Sequence, residues 1–168
     1  MKLKNFFTIL VSIFTTSCTL QKVNNETVES FDLNRYLGKW YEIARFNHIF
    51  ERGMDHNKAV YTQCKDGIVN VKNSGVKNGE IKEITGIAKT TKTPALLRVS
   101  FFKPFYADYR VMYIDKDYQY ALVGSASCNY LWILSRTPNI SDSAKDTLLT
   151  EAICRGYDVS KFIWVNQE

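Results

Sequence analysis

Histidine and cysteine are the residues of this chain best suited to metal or nucleophilic chemistry, but their placement predicts neither. His48 and His56 do not belong to a set of Cys and carboxylate residues with metal-ligand spacing, so we expect both at the surface. Cys64, Cys128 and Cys154 have no accompanying His that would activate a thiolate. We therefore predict no catalytic residue, no metal site and no cofactor.

The composition is that of one globular domain. The chain has 168 residues, of which 45% are hydrophobic and 23% charged. The formal charge is +5, and the Lys and Arg residues are scattered rather than clustered. A nucleic-acid site would need a basic cluster with a reader motif, so we expect no nucleic-acid partner. Weak attraction to anionic lipid headgroups is compatible with this charge.

The N-terminus predicts export. Lys2 and Lys4 precede a nearly continuous apolar run over residues 6–14, and small residues follow at 15–17. A charged region, a short apolar region and a small-residue cleavage zone are typical of a secretory signal. The apolar run is too short for a permanent membrane-spanning helix.

Cys18 follows these small residues and resembles the cysteine of a bacterial lipobox, which is lipidated and becomes the mature N-terminus. Thr15 departs from the aliphatic residue usual in that motif, so a plain secretory signal is the alternative. Thr19 stands where Asp would signal inner-membrane retention, and the resemblance implies the outer membrane, facing the periplasm. We predict a signal peptide over 1–17, a lipidated cysteine and polar tether over 18–30, and a folded domain over 31–168.

Eight short segments with strand character follow one another, separated by turn signals. They cover residues 40–46, 58–64, 68–72, 80–89, 95–102, 108–114, 120–125 and 130–135. Asn73–Gly79 is expected to be a turn, and Gly86 a kink or bulge. The pattern predicts an all-β fold, an eight-stranded antiparallel up-and-down barrel. A barrel of eight strands leaves room for side chains or one small ligand.

The pattern then changes to helical spacing. Ser141 is a good N-cap, and an apolar face over 144–153 predicts one C-terminal helix over 142–155, packed outside the barrel. Residues 159–165 predict a short final strand. Asp32 is placed to cap a single helical turn before Gly38.

Three motifs in order resemble those of the lipocalin family, most closely its bacterial lipoproteins and apolipoprotein-D-like members. They are Gly38-Lys39-Trp40-Tyr41-Glu42-Ile43, then residues 115–123, in which Lys116 replaces a Thr, and Leu131 through Pro138. The resemblance covers about residues 31 to 166 and implies a barrel with a ligand cavity. It also implies that Trp40 closes the narrow end of the barrel with Arg136 across its ring, which makes Gly38, Trp40 and Arg136 structural.

Alternation with a period of two, in register with these motifs, predicts which residues line the ligand pocket. The set is aliphatic and aromatic, with Tyr hydroxyls as its polar points. It comprises Ala59, Tyr61, Val69, Val71, Leu97, Val99, Phe101, Tyr109, Val111, Tyr113, Ala121, Val123, Trp132 and Leu134.

The pocket mouth is expected at Phe46, Phe50 and Phe105. Aromatic residues beside Lys103 suit either a membrane interface or a lid folded inward, and the sequence leaves both open. Arg45, Arg52 and Arg98 are candidates to meet a carboxylate or phosphate headgroup, with solvated charge as the alternative.

The resemblance implies a non-enzymatic envelope protein that binds and stores or transports fatty acids or lysophospholipids. Two alternatives stay open: an enzyme on the same fold acting on a hydrophobic small molecule, and a binder of tetrapyrroles or other planar hydrophobes. Pairing of Cys64 with Cys154 and formation of a homodimer are likewise left open.

Overall fold

Eight antiparallel strands close into a barrel, and a ninth is added outside it. The structure is a computed structural model that describes residues 23–65 and 67–168. Each of β1 to β8 pairs with the next, and β1 pairs with both β2 and β8, which confirms the predicted up-and-down barrel. The strands are β1 (Gly38–Phe46), β2 (Asp55–Gln63), β3 (Ile68–Lys77), β4 (Glu80–Thr90), β5 (Leu96–Phe102), β6 (Phe105–Ile114), β7 (Tyr120–Gly124), β8 (Leu131–Ser135) and β9 (Phe162–Trp164).

One edge of β1 is divided between two partners. Its first residues pair with β2, from Gly38 opposite Tyr61 to Tyr41 opposite Lys58. Its last residues, 44–46, pair with β9 instead. Between these pairings the Gln167 side-chain amide donates to the carbonyl oxygens of Glu42 (2.7 Å) and Asn57 (2.9 Å). The C-terminal tail therefore bridges the place where β1 and β2 separate.

Two α-helices accompany the barrel, as predicted, whereas the final strand predicted over 159–165 begins as a 3-10 turn (Val159–Lys161) and is limited to β9. Helix α1 (Leu33–Tyr36) is a single turn whose N-cap Asp32 accepts a hydrogen bond from the Asn34 amide. Helix α2 (Asp142–Cys154) is capped by Ser141 and packs on the outer face of the barrel. The predicted apolar face is wrong at Ile153, which is 57% exposed. Within the described residues, no helix is both long enough and apolar enough to span a bilayer.

The third and fourth strands are longer than predicted. Pairing continues from Asn73 opposite Ile84 to Lys77 opposite Glu80, so the turn expected over 73–79 is confined to Asn78 and Gly79. Both have positive φ, +53° and +78°, which matches the twist of a two-residue hairpin. Gly86 forms no bulge in this pairing, and a Cβ there would lie 2.7 Å from the Phe101 ring.

Two ends of the barrel are distinguished below. The closed end contains α1 and the β2–β3, β4–β5 and β6–β7 connections. The open end contains the β1–β2 loop (47–54), the β3–β4 and β5–β6 turns and the β7–β8 loop (125–130). Apolar side chains line the barrel interior, and a second apolar cluster lies between the outer wall, α2 and β9.

Part of the predicted tether is bound to the barrel. The Val28 amide donates to the Val111 carbonyl, and the Asn25 side chain donates to the Ser125 carbonyl. Val28 packs against the interior cluster. The tether predicted over 18–30 is therefore shorter, because from Val23 onward the segment packs on the wall. The predicted signal peptide and Cys18 lie outside the described residues.

Candidate ligand-binding site

Trp40 lies at the closed end and is fully buried. Its indole Nε1 donates to the Tyr36 carbonyl at 2.7 Å, so its one polar atom is satisfied. The guanidinium carbon of Arg136 stands 3.9 Å from the centre of its ring. Gly38 has φ of +93°, and a Cβ there would lie 3.4 Å from Arg136 Nη1. Glycine thus suits both the backbone angle and the approach of the arginine.

Arg136 also joins three parts of the closed end. Its Nη2 donates to the Arg35 carbonyl (2.6 Å), its Nη1 to the Lys39 carbonyl (2.9 Å) and its Nε to the Tyr118 carbonyl (3.2 Å). These carbonyls belong to α1, β1 and the β6–β7 turn. The planar fork of Arg satisfies all three while lying over the indole, which a Lys ammonium would not do.

Three tyrosine hydroxyls meet just above Trp40. Tyr109 lies between the other two, with its hydroxyl oxygen 2.6 Å from that of Tyr36 and 2.8 Å from that of Tyr61. Burial raises the pKa of all three phenols, so they remain neutral. The floor of the barrel is therefore a hydrogen-bonded aromatic layer without formal charge.

The barrel wall brings together all but one of the residues predicted to line the pocket. Most are buried, but several inward-facing side chains are partly exposed: Ala59, Val99, Phe101, Tyr109 and Trp132. Solvent therefore reaches apolar surface inside the barrel. The interior cluster contains Ala59, Tyr61, Val69, Val71, Leu97, Val99, Phe101, Tyr109, Val111, Ala121, Val123, Trp132 and Leu134.

Tyr113 is the exception, and its interior placement is corrected. The β6–β7 pairing shifts register between Val111 and Tyr113, which interrupts the alternation of the strand. Met112 and Tyr113 both pack in the outer cluster, and Ile114 returns to the interior.

Sequence reasoning missed several interior residues. Ala88 and Ala95 are buried there, but alanine gives a weak signal of alternation. Tyr36 and Tyr118 enter from α1 and from the β6–β7 turn, where no strand period applies. The cue available for Tyr36 was its position just before the Gly-Lys-Trp motif.

A group of ionisable side chains, here called the polar cluster, lies in the half of the barrel nearer the open end. It consists of Glu42, Arg45, His48 and Glu51, and the first three are buried. Arg45 Nη1 donates to Glu42 Oε1 at 2.7 Å, and His48 Nε2 lies 2.9 Å from Glu51 Oε2. The Trp132 indole, which packs on the interior cluster, donates to the same Glu51 oxygen at 3.3 Å.

Arg45 also connects the upper part of β1 to the loop that follows. Its Nη2 donates to the carbonyls of Glu51 (2.7 Å) and Met54 (2.9 Å). Its Nε, and His48 Nδ1, have no hydrogen-bond partner in the described part of the chain. Both atoms are buried, so the cluster retains donor or acceptor capacity that a bound polar group would use.

The two carboxyls of the cluster differ in proton affinity. Burial, reinforced by the charge of Glu51, raises the pKa of Glu42 well above its ordinary value despite Arg45. Burial also acts to raise the pKa of Glu51, but the hydrogen bond and charge of His48 outweigh it and the pKa is lowered. Glu42 therefore holds a proton more readily than Glu51 does.

His48 is buried, so the surface position expected for it is wrong. Arg45, expected as a candidate to meet a headgroup, lies in the polar cluster. Glu42 faces inward by alternation with Trp40, and the register shift in β1 between Glu42 and Ala44 turns Arg45 to the same side. Arg98 lies outside and pairs with Asp108 at 2.9 Å. Arg52 is exposed in the β1–β2 loop.

The predicted mouth residues divide into two kinds. Phe50 and Phe105 are 71% and 78% exposed at the open end. Phe46 does not line the mouth, because the same β1 irregularity turns it outward beneath β9. It is buried in the outer cluster, with its ring 5.0 Å from that of Phe162 and 6.1 Å from that of Tyr157.

The described residues form neither a disulfide nor a metal-binding cluster. Cys64, Cys128 and Cys154 are free and exposed. Residues 23–65 and 67–168 contain no group of three or more His, Cys, Asp or Glu side chains positioned to hold a metal ion.

Comparison with known proteins agrees with this architecture. The family model described as a lipocalin-like domain matches residues 31–167. The outer membrane lipoprotein Blc of Escherichia coli K12 is 51% identical over 144 residues, covering 83% of this chain and 81% of that protein. The protein of the same name from Vibrio cholerae is 39% identical over 171 residues, covering 99% and 100%. Among solved structures, insecticyanin from the tobacco hornworm Manduca sexta superposes with a TM-score of 0.70 at 22% identity, covering 84% and 83%.

Proposed function

The chain belongs to the lipocalin family, and from that premise we propose that its barrel binds a single-chain lipid, a fatty acid or a lysophospholipid. The protein is a lipid-anchored outer-membrane lipocalin that takes up a hydrophobic ligand. The role we assign to it is to hold or carry such lipids in the maintenance of the envelope.

The accessible apolar surface inside the barrel carries this proposal. Ala59, Val99, Phe101 and Trp132 face inward and are only partly buried, above a floor closed by Trp40 and the tyrosines. An acyl chain that covers this surface gains about 0.8 kcal/mol for each buried methylene. Because the floor carries no formal charge, the methyl end of the chain is the part suited to it.

The polar cluster supports placing the headgroup toward the open end. Arg45 already donates to Glu42 Oε1 and to two carbonyls, so most of its hydrogen-bond donors are occupied before any ligand binds. A bare carboxylate would meet the ionised Glu51, whereas a zwitterionic or hydroxyl-bearing headgroup would not suffer net repulsion. We therefore rank lysophospholipids above free fatty acids at neutral pH.

One observation favours an enzymatic alternative. His48 Nε2 and Glu51 Oε2 lie 2.9 Å apart inside the barrel, and an imidazole beside a carboxylate can serve acid–base chemistry. The cluster contains no Ser, Cys or Lys nucleophile, and its groups mainly satisfy one another. Binding without turnover is the simpler proposal.

Membrane attachment is assigned to Cys18 after removal of residues 1–17. The folded domain would then begin a few residues from the lipid, on the periplasmic side of the outer membrane. This assignment rests on the sequence of residues 1–19 and on the outer membrane lipoproteins that the chain resembles.

Native mass spectrometry of protein purified from its host membranes tests the proposal. We expect a co-purified acyl lipid in a one-to-one complex, identified after release by its fragmentation. A coloured planar compound would support the alternative ligand class, and added lysophospholipid that returns chemically changed would support an enzyme. The same spectrum reports whether the protein is a monomer or a homodimer.

A further inference from the structure

Several large apolar side chains are exposed at the open end of the barrel, and four of them are here called the apolar rim. They are Ile49 and Phe50 in the β1–β2 loop, and Phe102 and Phe105 on either side of the β5–β6 turn. Their exposed fractions are 73%, 71%, 65% and 78%. These two connections are four strands apart in an eight-stranded barrel, so they lie on opposite sides of the mouth. Exposed apolar side chains on both sides of one opening mark a contact surface.

Basic residues accompany the apolar rim. Arg52 follows Phe50 in the same loop, and Lys103 lies between Phe102 and Phe105; both are exposed. Aromatic rings beside Arg and Lys are typical of protein surfaces at a membrane interface, where the rings sit at headgroup level and the cations meet anionic lipids. A protein partner would not require that combination.

The start of the folded chain lies near the same end. Asn25 donates to the carbonyls of Ser125 and Ala126, in the β7–β8 loop at the open end. The Asn24 amide donates to the Arg155 carbonyl just after α2. Hydrogen bonds therefore hold this segment to the β7–β8 loop and to the end of α2. Cys18 precedes Val23 by five residues, a length that reaches at most about 17 Å when fully extended. An anchor at Cys18 therefore keeps the open half of the barrel close to the bilayer.

We infer that the apolar rim rests on the phospholipid surface in which Cys18 is anchored, so that the mouth of the barrel faces the bilayer. The inference rests on the lipid anchor of the proposed function, and it adds an orientation and a route. A single-chain lipid would then pass between the leaflet and the barrel through the rim without crossing bulk water.

Depth-dependent quenching tests this orientation in the full lipidated protein. The protein is reconstituted in vesicles of phosphatidylethanolamine and phosphatidylglycerol that include phospholipids with brominated acyl chains, which quench tryptophan at short range. Phe105→Trp adds a fluorophore to the rim, and Ile153→Trp adds one to the exposed face of α2 as the matched control. Each signal is read as the difference from the parent protein, which contains Trp40, Trp132 and Trp164.

We expect the bromolipid to quench the Phe105→Trp signal several-fold more than the Ile153→Trp signal. Equal quenching, or stronger quenching at position 153, overturns the inference. If Phe105→Trp is shielded from both the bromolipid and aqueous acrylamide, a second copy or another protein covers the rim, and the inference is also wrong. A protein that washes off the vesicles contradicts the anchor and the orientation together. If the rim is quenched but the protein binds no lipid in its barrel, the orientation stands and the proposed function fails.

Discussion

The guanidinium of Arg136 lies over the Trp40 ring, 3.9 Å from its centre, and donates to three carbonyls at the closed end. One side chain thereby joins α1, the first strand and the β6–β7 turn. The contact uses both the face of the ring and the rigid fork of the guanidinium, which makes it a structural closure.

Arg136→Ala should destabilise the fold without changing ligand preference. Loss of a cation–π contact and three hydrogen bonds should lower the free energy of unfolding by about 3 kcal/mol. Chemical denaturation measures this value. Arg35→Ala is the matched control: its guanidinium lies 4.2 Å from the Tyr118 ring centre but is exposed, so its removal should cost less than about 1 kcal/mol. Altered lipid preference at unchanged stability would show that the role is not structural.

Tyr109→Phe should also reduce stability, because it removes the hydroxyl that both Tyr36 and Tyr61 bind. The two buried hydroxyl groups would lose this hydrogen-bond partner, at a cost of about 1–3 kcal/mol in the free energy of unfolding. Tyr113→Phe serves as the comparison, since Tyr113 lies outside the tyrosine layer and is only partly buried. Equal effects of the two substitutions on thermal unfolding would contradict the described floor.

Glu42→Gln should change how stability depends on pH. The folded-state pKa of Glu42 is raised above its ordinary value of 4.5, so below pH 4.5 the carboxyl is protonated in both states and its contribution is intact. As pH rises, the unfolded chain loses the proton first, and stability falls until the folded-state pKa is passed. Glu42 interacts with Glu51, so the transition belongs to the pair.

The measurement for this substitution is the free energy of unfolding at several pH values from 4 to 8. The Gln variant should gain stability relative to the parent protein as pH rises, whatever the difference between their free energies of unfolding at pH 4. Glu29→Gln, which neutralises an exposed carboxylate, should follow the parent curve. Parallel curves for Glu42→Gln and the parent protein would contradict the raised pKa.

Val99→Trp should weaken lipid binding by filling the space above the floor. Displacing two or three methylenes from the barrel costs about 2 kcal/mol, or roughly 30-fold in Kd. Arg98→Trp places the same ring on the outer face of the same strand and should leave Kd unchanged. Displacement of a fluorescent fatty-acid analogue measures both. An unaltered Kd for Val99→Trp would remove this residue from the ligand pocket.

Cys18→Ser should release the protein from membranes, since no lipid would be attached at that position. Fractionation of cells expressing the variant, with radiolabelled palmitate to detect acylation, provides the measurement. Cys128→Ser, which removes an exposed thiol within the fold, should remain membrane-bound and labelled. Retention of the Cys18 variant on the membrane would refute the assignment.

The alternation of apolar and polar residues was sufficient to predict the barrel and most of its interior. In a strand of regular register, every second side chain lies on the same face. The prediction failed where register shifts occur. The shift in β1 turns Arg45 inward and Phe46 outward, and the shift in β6 moves Tyr113 to the outer cluster. Neither irregularity contains a Gly or Pro that would have marked it in the sequence.

The polar cluster was less accessible to sequence reasoning. His48 and Glu51 lie in the β1–β2 loop, where no period indicates which way a side chain points. Their burial depends on Trp132 and Arg45, which come from other parts of the fold. The three-residue spacing between His48 and Glu51 was the available signal, but it is common in exposed segments as well.

The division of β1 between two partners has a consequence for how the protein is made. Tyr41 pairs with Ser135, Ala44 with Trp164, and Gln167 closes the remaining gap, so the first strand cannot complete its bonding until the end of the chain is present. With the export that the predicted signal sequence implies, almost the whole polypeptide must therefore cross the membrane before the barrel can close. Such distant pairings make folding slow, and the unsealed edges need protection from aggregation during the delay.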